Sequence, residues 1–86
     1  MHESQITRLN KIEGQIRGIK KMINDGRYCV DILTQIRSAN RALAKVKDNI
    51  FQGHLEACVH DSLEGDDPAD RKKKVDEIIE LLAMFR

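Results

Sequence analysis

Residues 28–60 read YCVDILTQIRSANRALAKVKDNIFQGHLEACVH, and this stretch decides the fold. Val30, Leu33, Ile36, Leu43, Val46 and Ile50 recur at spacings of three, three, seven, three and four, with Ala39 in the seven-residue gap. That period lays an apolar stripe along one helix. It predicts a helix from about Tyr28, across Gly53 and Leu55, to about His60. A helix so long outgrows the core a short chain can build, and packing against a second copy is the common remedy.

Upstream, Asn24-Asp25-Gly26 is a turn signal. Before it, Ile6, Leu9, Ile12, Ile16, Ile19 and Ile23 predict a helix over residues 4–24 with Ser4 as N-cap. Arg8, Lys11, Arg17, Lys20 and Lys21 fall on its other faces. Gly14 and Gly18, four apart, each cost up to about 1 kcal/mol against Ala, which points to a close helix–helix crossing. Downstream, residues 61–70 are acidic and contain Gly65 and Pro68, which predicts a loop. A third helix should start between Pro68 and Asp70 and bury Val75, Ile78, Ile79, Leu82 and Phe85. Arg71, Lys72, Lys73 and Lys74 sit in its first turns, where the helix dipole disfavours cations. They are expected in solvent, against the acidic loop or on a phosphate.

The fold class is therefore all-α, one small domain over residues 1–86. Aromatic residues are 3% and charged residues 34% of the chain, a balance that helix bundles use. No stretch approaches the ~18 apolar residues of a membrane span. The N-terminus shows no apolar secretory region, so a cytosolic location is expected. Two cysteines in a reducing compartment read as metal-binding or redox-active before they read as a structural disulfide.

The net charge of +1 hides an asymmetry. Residues 1–47 carry ten Lys/Arg against four Asp/Glu, a balance of +6; residues 48–86 carry five against ten, a balance of −5. A basic half, repeated in an oligomer, suits nucleic acid as well as it suits a solvated helix face. A helix-turn-helix is not convincing, because the second helix is too long and apolar for a recognition helix.

His54 and Cys58 lie four apart, on one face of a helix, within reach of one metal ion. Cys29 lies 25 residues before His54. Along a continuous helix that is roughly 35–40 Å, so one chain cannot close the gap. An antiparallel second copy can bring its own Cys29 to the His54/Cys58 end. Two sulfurs and one imidazole are soft and three in number, which fits Cu(I); Zn(II) or Ni(II) would want a further donor. His60 points away from Cys58 around the helix, and His2 lies near the terminus; both read as surface residues.

Cys29-Val30-Asp31-Ile32-Leu33-x-Gln35-Ile36, then His54-Leu55-Glu56-x-Cys58, together with Arg8-x-x-x-Ile12-x-Gly14-Gln15, resembles the copper-sensitive operon repressor (CsoR) family over nearly the whole chain. The resemblance implies a three-helix protomer, an antiparallel four-helix-bundle dimer and a tetramer made of two dimers. It implies that Cys29 of one protomer and His54 and Cys58 of its partner are the copper ligands. Tyr28 and Glu77 match the positions linked to the histidine, and Arg8 and Lys45 match positions of DNA contact. Nickel and cobalt sensors of the family have an N-terminal His, at a position that His2 does not match because the segment before Gly14 is too short, and a His where this chain has Cys58. Persulfide sensors keep both cysteines but lack the His.

The expectation is a homo-oligomeric Cu(I)-responsive repressor that holds operator DNA when metal-free. Its contacts would come from Arg8, Lys11, Arg17, Lys20, Arg37, Arg41, Lys45 and Lys47. Two alternatives stay open: a persulfide or thiol sensor using Cys29 and Cys58, and a copper storage or transfer protein. No paired-carboxylate or nucleophile–base arrangement suggests an enzyme or a small-molecule substrate.

Overall fold

The computed structural model describes residues 2–64 and 67–85, with the side chains of 61–64 left aside. Three helices follow in order: α1 (Ser4–Asn24), α2 (Cys29–Glu64) and α3 (Pro68–Met84). The chain divides into two compact units, Met1–Phe51 and Gln52–Arg86. Among the described residues no helix is long and apolar enough to cross a membrane.

Helix α1 keeps the expected bounds, but Ser4 is its first helical residue; the N-cap is Glu3, which makes no side-chain capping bond. Backbone bonds close the first turn, Gln5 N–H to His2 O at 3.0 Å and Ile6 N–H to Glu3 O at 3.1 Å. The other end is a Schellman turn. Arg27 N–H donates to Met22 O at 3.0 Å and Gly26 N–H to Ile23 O at 3.1 Å. Gly26 sits at φ 66°, a left-handed conformation that only Gly adopts without strain. That is the physical content of the Asn24-Asp25-Gly26 signal.

In the first unit each predicted stripe splits in two. On α1, Ile12 is buried and Gln5, Leu9, Gln15, Ile19 and Met22 are half-buried, while Ile6, Ile16 and Ile23 are exposed. On α2, Ala39 and Val46 are buried and Ile32, Ile36, Ala42 and Asn49 half-buried. Val30, Leu33, Leu43 and Ile50 remain exposed. Each helix thus carries one ridge for its neighbour in the chain and a second, apolar ridge without a cover in the protomer. The expected close crossing at the glycines is absent here: a Cβ on Gly18 would meet nothing within 4 Å, and one on Gly14 only the tip of Arg17 at 3.8 Å.

In the second unit, α2 runs through residue 64, four residues beyond the expected end, so residues 61–64 are helical rather than loop. Gly65 lies outside the described residues. Helix α3 starts as expected. Asp67 is its N-cap, its carboxylate accepts from Ala69 N–H at 3.0 Å, and Pro68 opens the helix. The predicted α3 stripe is not buried in the protomer: Val75, Ile79 and Leu82 are exposed, and the half-buried positions are Lys74, Ile78 and Leu81. Of the basic cluster, Lys74 pairs with Asp70 at 3.4 Å.

Candidate metal centre and nucleic-acid interface

Helical phase puts His54 and Cys58 one above the other on α2, and the structure brings them together. His54 Nε2 lies 3.6 Å from Cys58 Sγ. Cys58 is buried and His54 half-buried. The same Nε2 stands 3.4 Å from Glu77 Oε1 on α3. Glu77 also lines a shallow groove on α3 with Lys72, Lys73, Asp76 and Glu80. Thiol and carboxylate both face the same ring nitrogen, Nε2, so a metal-bound imidazole could keep Glu77 only through its other nitrogen, after the ring turns. Glu77 thus lies beside the histidine to which the family resemblance links it.

Cys29 is the first residue of α2 and a free, exposed cysteine; Cys58 is free and buried. Tyr28, just before it, is 70% exposed, and its backbone carbonyl accepts from Asp31 N–H at 3.0 Å. Among the described residues no group of three or more His, Cys, Asp or Glu side chains of this chain could hold a metal ion. His60 is exposed and lines an apolar groove with Leu55, Glu56 and Val59. His2 is half-buried.

The basic residues of the first unit are all exposed. Three of them converge. Arg8 and Lys11 of α1 and Lys45 of α2 line one groove with Ser4, Thr7, Ile12, Gln15 and Ala42. Arg37 and Arg41 line a second with Thr34 and Ser38. The two grooves adjoin where Gln15 Nε2 donates to Ser38 Oγ at 3.3 Å. The result is a band of five cations fed by two helices, with hydroxyl and amide groups between them. Such a band can follow a phosphate backbone. Arg17 instead leans on Glu13 at 3.9 Å, and neither groove includes Lys20 or Lys47.

Sequence reasoning missed the polar residues between α1 and α2. Asn49 Nδ2 donates to Gln5 Oε1 at 3.1 Å, and both side chains are half-buried. The signal was available: Gln5 precedes Leu9 by four and Asn49 follows Val46 by three, so both extend the inner ridges at helical spacing.

Residues 1–84 match the family described as metal-sensitive transcriptional repressor. The chain is 37% identical over 84 residues to the copper-sensing transcriptional repressor CsoR of Bacillus subtilis (strain 168), covering 96% of this chain and 80% of that protein. Its fold is similar to that of the Cu(I)-containing copper-sensing repressor CsoR of Geobacillus thermodenitrificans NG80-2. The TM-score is 0.84 at 34% identity, over 96% of this chain and 83% of that one. It is also similar to the nickel-responsive transcriptional regulator InrS, with a TM-score of 0.84 at 28% identity, over 98% and 91% of the two chains.

Proposed function

The chain belongs to the metal-sensitive transcriptional repressors, a family of regulators and not of enzymes, and within it we propose a cytosolic, Cu(I)-responsive repressor of operator DNA. The observation that carries the copper assignment is the donor chemistry. Cys58 and His54 are already adjacent at 3.6 Å, and Cys29 is the other thiol of the chain. Two thiolates and one imidazole suit soft, low-coordinate Cu(I) better than a fourth-ligand metal such as Zn(II) or an N/O-preferring ion such as Ni(II). The likeness to copper-sensing relatives supports the same choice.

Cys29 of one protomer and His54 and Cys58 of its partner would hold the ion. Cys29 opens α2 and the other two donors lie on its second half, so a continuous helix keeps them apart within a chain. Bound Cu(I) supplies a soft link between donors of two chains. The chain's own residues do the rest. Cys58 and His54 present donors from one helix face, and Glu77, beside the ring on α3, would orient the imidazole through the nitrogen left free of metal. Tyr28, beside Cys29, is the other candidate to touch a partner's histidine.

Oligomerisation has independent support in the uncovered ridges. Ile6, Ile16 and Ile23 on α1 and Val30, Leu33 and Leu43 on α2 are each 48–62% exposed. Covering side chains of this size contributes on the order of 1–2 kcal/mol apiece. An antiparallel four-helix bundle of two α1–α2 pairs, doubled into a tetramer, covers them.

Metal-free protein would meet operator DNA through Arg8, Lys11, Lys45, Arg37 and Arg41, with Arg17, Lys20 and Lys47 as peripheral charge. Regulation follows if Cu(I) is bound more tightly in the DNA-free arrangement than in the DNA-bound one. The test is anaerobic titration of the protein, bound to the DNA upstream of its own gene, with Cu(I), Ni(II), Zn(II) and polysulfide in parallel. Release by about one Cu(I) per protomer, and not by the others at equal concentration, is the expected result. Release by Ni(II) or by polysulfide alone would overturn the copper assignment.

A further inference from the structure

The start of α1 carries part of the basic groove, and most of its side chains are exposed. Its N-cap residue, Glu3, makes no side-chain capping bond to the helix. Ile6 is 56% exposed, and the first buried side chain is Ile12, two turns further on. The N-terminal turns of a helix fray unless a cap or a packed face holds them. Ser4, Thr7 and Arg8, all on this segment, line the groove that Lys45 completes from α2.

A side-chain bond ties the segment to α2. Asn49 Nδ2 donates to Gln5 Oε1 at 3.1 Å between two half-buried side chains. Gln5 is three residues before Arg8, and Asn49 is four residues after Lys45. At helical spacing each amide therefore lies next to a groove cation on its own helix. We propose that the Gln5–Asn49 bond is a positioning device for DNA binding, holding Arg8 of α1 opposite Lys45 of α2 so that both meet the phosphate backbone together. Neither amide touches DNA; they act through Arg8.

Partial burial gives the bond its leverage. In a half-buried site, a broken amide pair leaves polar groups short of partners. A single hydrogen bond shifts an equilibrium by roughly three- to tenfold, which is enough to decide whether a frayed turn stays docked. The same amides carry no charge, so they add nothing to the phosphate count themselves. That separates their effect from that of a lysine or arginine.

The inference rests on Arg8 being an operator contact, and the experiment tells the two ideas apart. Affinity of metal-free protein for the DNA upstream of its own gene is measured across a salt series. The proteins are the wild type, Gln5→Ala, Asn49→Ala, Arg8→Ala and the Arg8→Ala/Asn49→Ala double variant. Each amide variant should bind roughly three- to tenfold more weakly and lose about one unit of salt slope, as Arg8→Ala does. In the Arg8→Ala background, Asn49→Ala should cost nothing further. Gln5→Ala places the best helix former in α1, so its loss does not come from lost helix propensity. A wild-type salt slope in both amide variants, or an equal loss from Asn49→Ala with and without Arg8, overturns the positioning role alone. Wild type that fails to bind, or Arg8→Ala that binds like wild type, overturns it together with the operator contact on which it rests.

Discussion

His54 Nε2 and Glu77 Oε1 stand 3.4 Å apart, a polar link from α2 to α3 made by a residue that also lies 3.6 Å from Cys58 Sγ. The side chains of His54 and Glu77 are 35% and 54% exposed, so solvent screens the pair, and it contributes under about 1 kcal/mol to stability. In the proposed mechanism its role is to orient the ring. Glu77→Ala should melt within a few degrees of wild type and bind Cu(I) with unchanged stoichiometry. It should nevertheless need more Cu(I) to leave DNA. Thermal melting and Cu(I) titration of the DNA complex measure the two effects separately, and wild-type release would remove Glu77 from the coupling.

In the proposed mechanism, replacing His54 should separate copper binding from the response. His54→Ala leaves both thiols in place, and thiolates suffice to hold Cu(I). The expected variant still takes up copper anaerobically but stays on DNA at copper levels that free the wild type. Spectroscopic copper titration and DNA-binding anisotropy on the same sample check this. Simultaneous loss of copper uptake would instead make the imidazole an obligatory donor.

A substitution on the uncovered ridge tests the oligomer. In the protomer Leu33 is 62% exposed, and an ordinary surface change there is worth within about 0.5 kcal/mol. Leu33→Asp should nevertheless dissociate the assembly, because a carboxylate would have to be buried against the partner. Sedimentation velocity reads the result. For contrast, Val46→Ala acts inside the protomer, where the side chain is 3% exposed, and should cost about 2 kcal/mol at fixed protein concentration.

The basic band predicts a salt signature. Arg8→Ala and Lys45→Ala should each reduce the slope of log affinity against log salt by about one, and should weaken binding to unrelated DNA as well. Arg17→Ala should matter less, since that guanidinium already leans on Glu13 at 3.9 Å. Fluorescence anisotropy across a salt series settles the ranking.

Much of this was legible in the sequence, and the residues show why. Leu9, Ile12 and Val46 mark the helices because the apolar period survives whatever the helices pack against. The helix ends were nearly as plain: Gly26 and Asp67-Pro68 carry their own backbone chemistry. Ser4 misled because a good N-capping residue was one position inside the helix. The end of α2 was misplaced because acidic residues and a glycine read as loop, although Asp61 to Glu64 continue the helix. The stripes themselves could not be divided from period alone. Leu33 and Ile36 are equally apolar, and only packing assigns one outward and the other toward α1. The His54–Cys58 pair followed from four-residue spacing on one helix. The Gln5–Asn49 bond needed two helices in register, which no single-helix pattern encodes.

The most direct test mixes two damaged proteins. Cys29→Ser and Cys58→Ser protomers are prepared separately, unfolded together, refolded and titrated anaerobically with Cu(I) against a competing chelator. If the site draws Cys29 from one chain and His54 with Cys58 from its neighbour, one of the two sites in every mixed dimer is whole. High-affinity copper binding then returns in the mixture although neither protein alone shows it. A mixture that binds copper no better than its separate components would contradict the shared site.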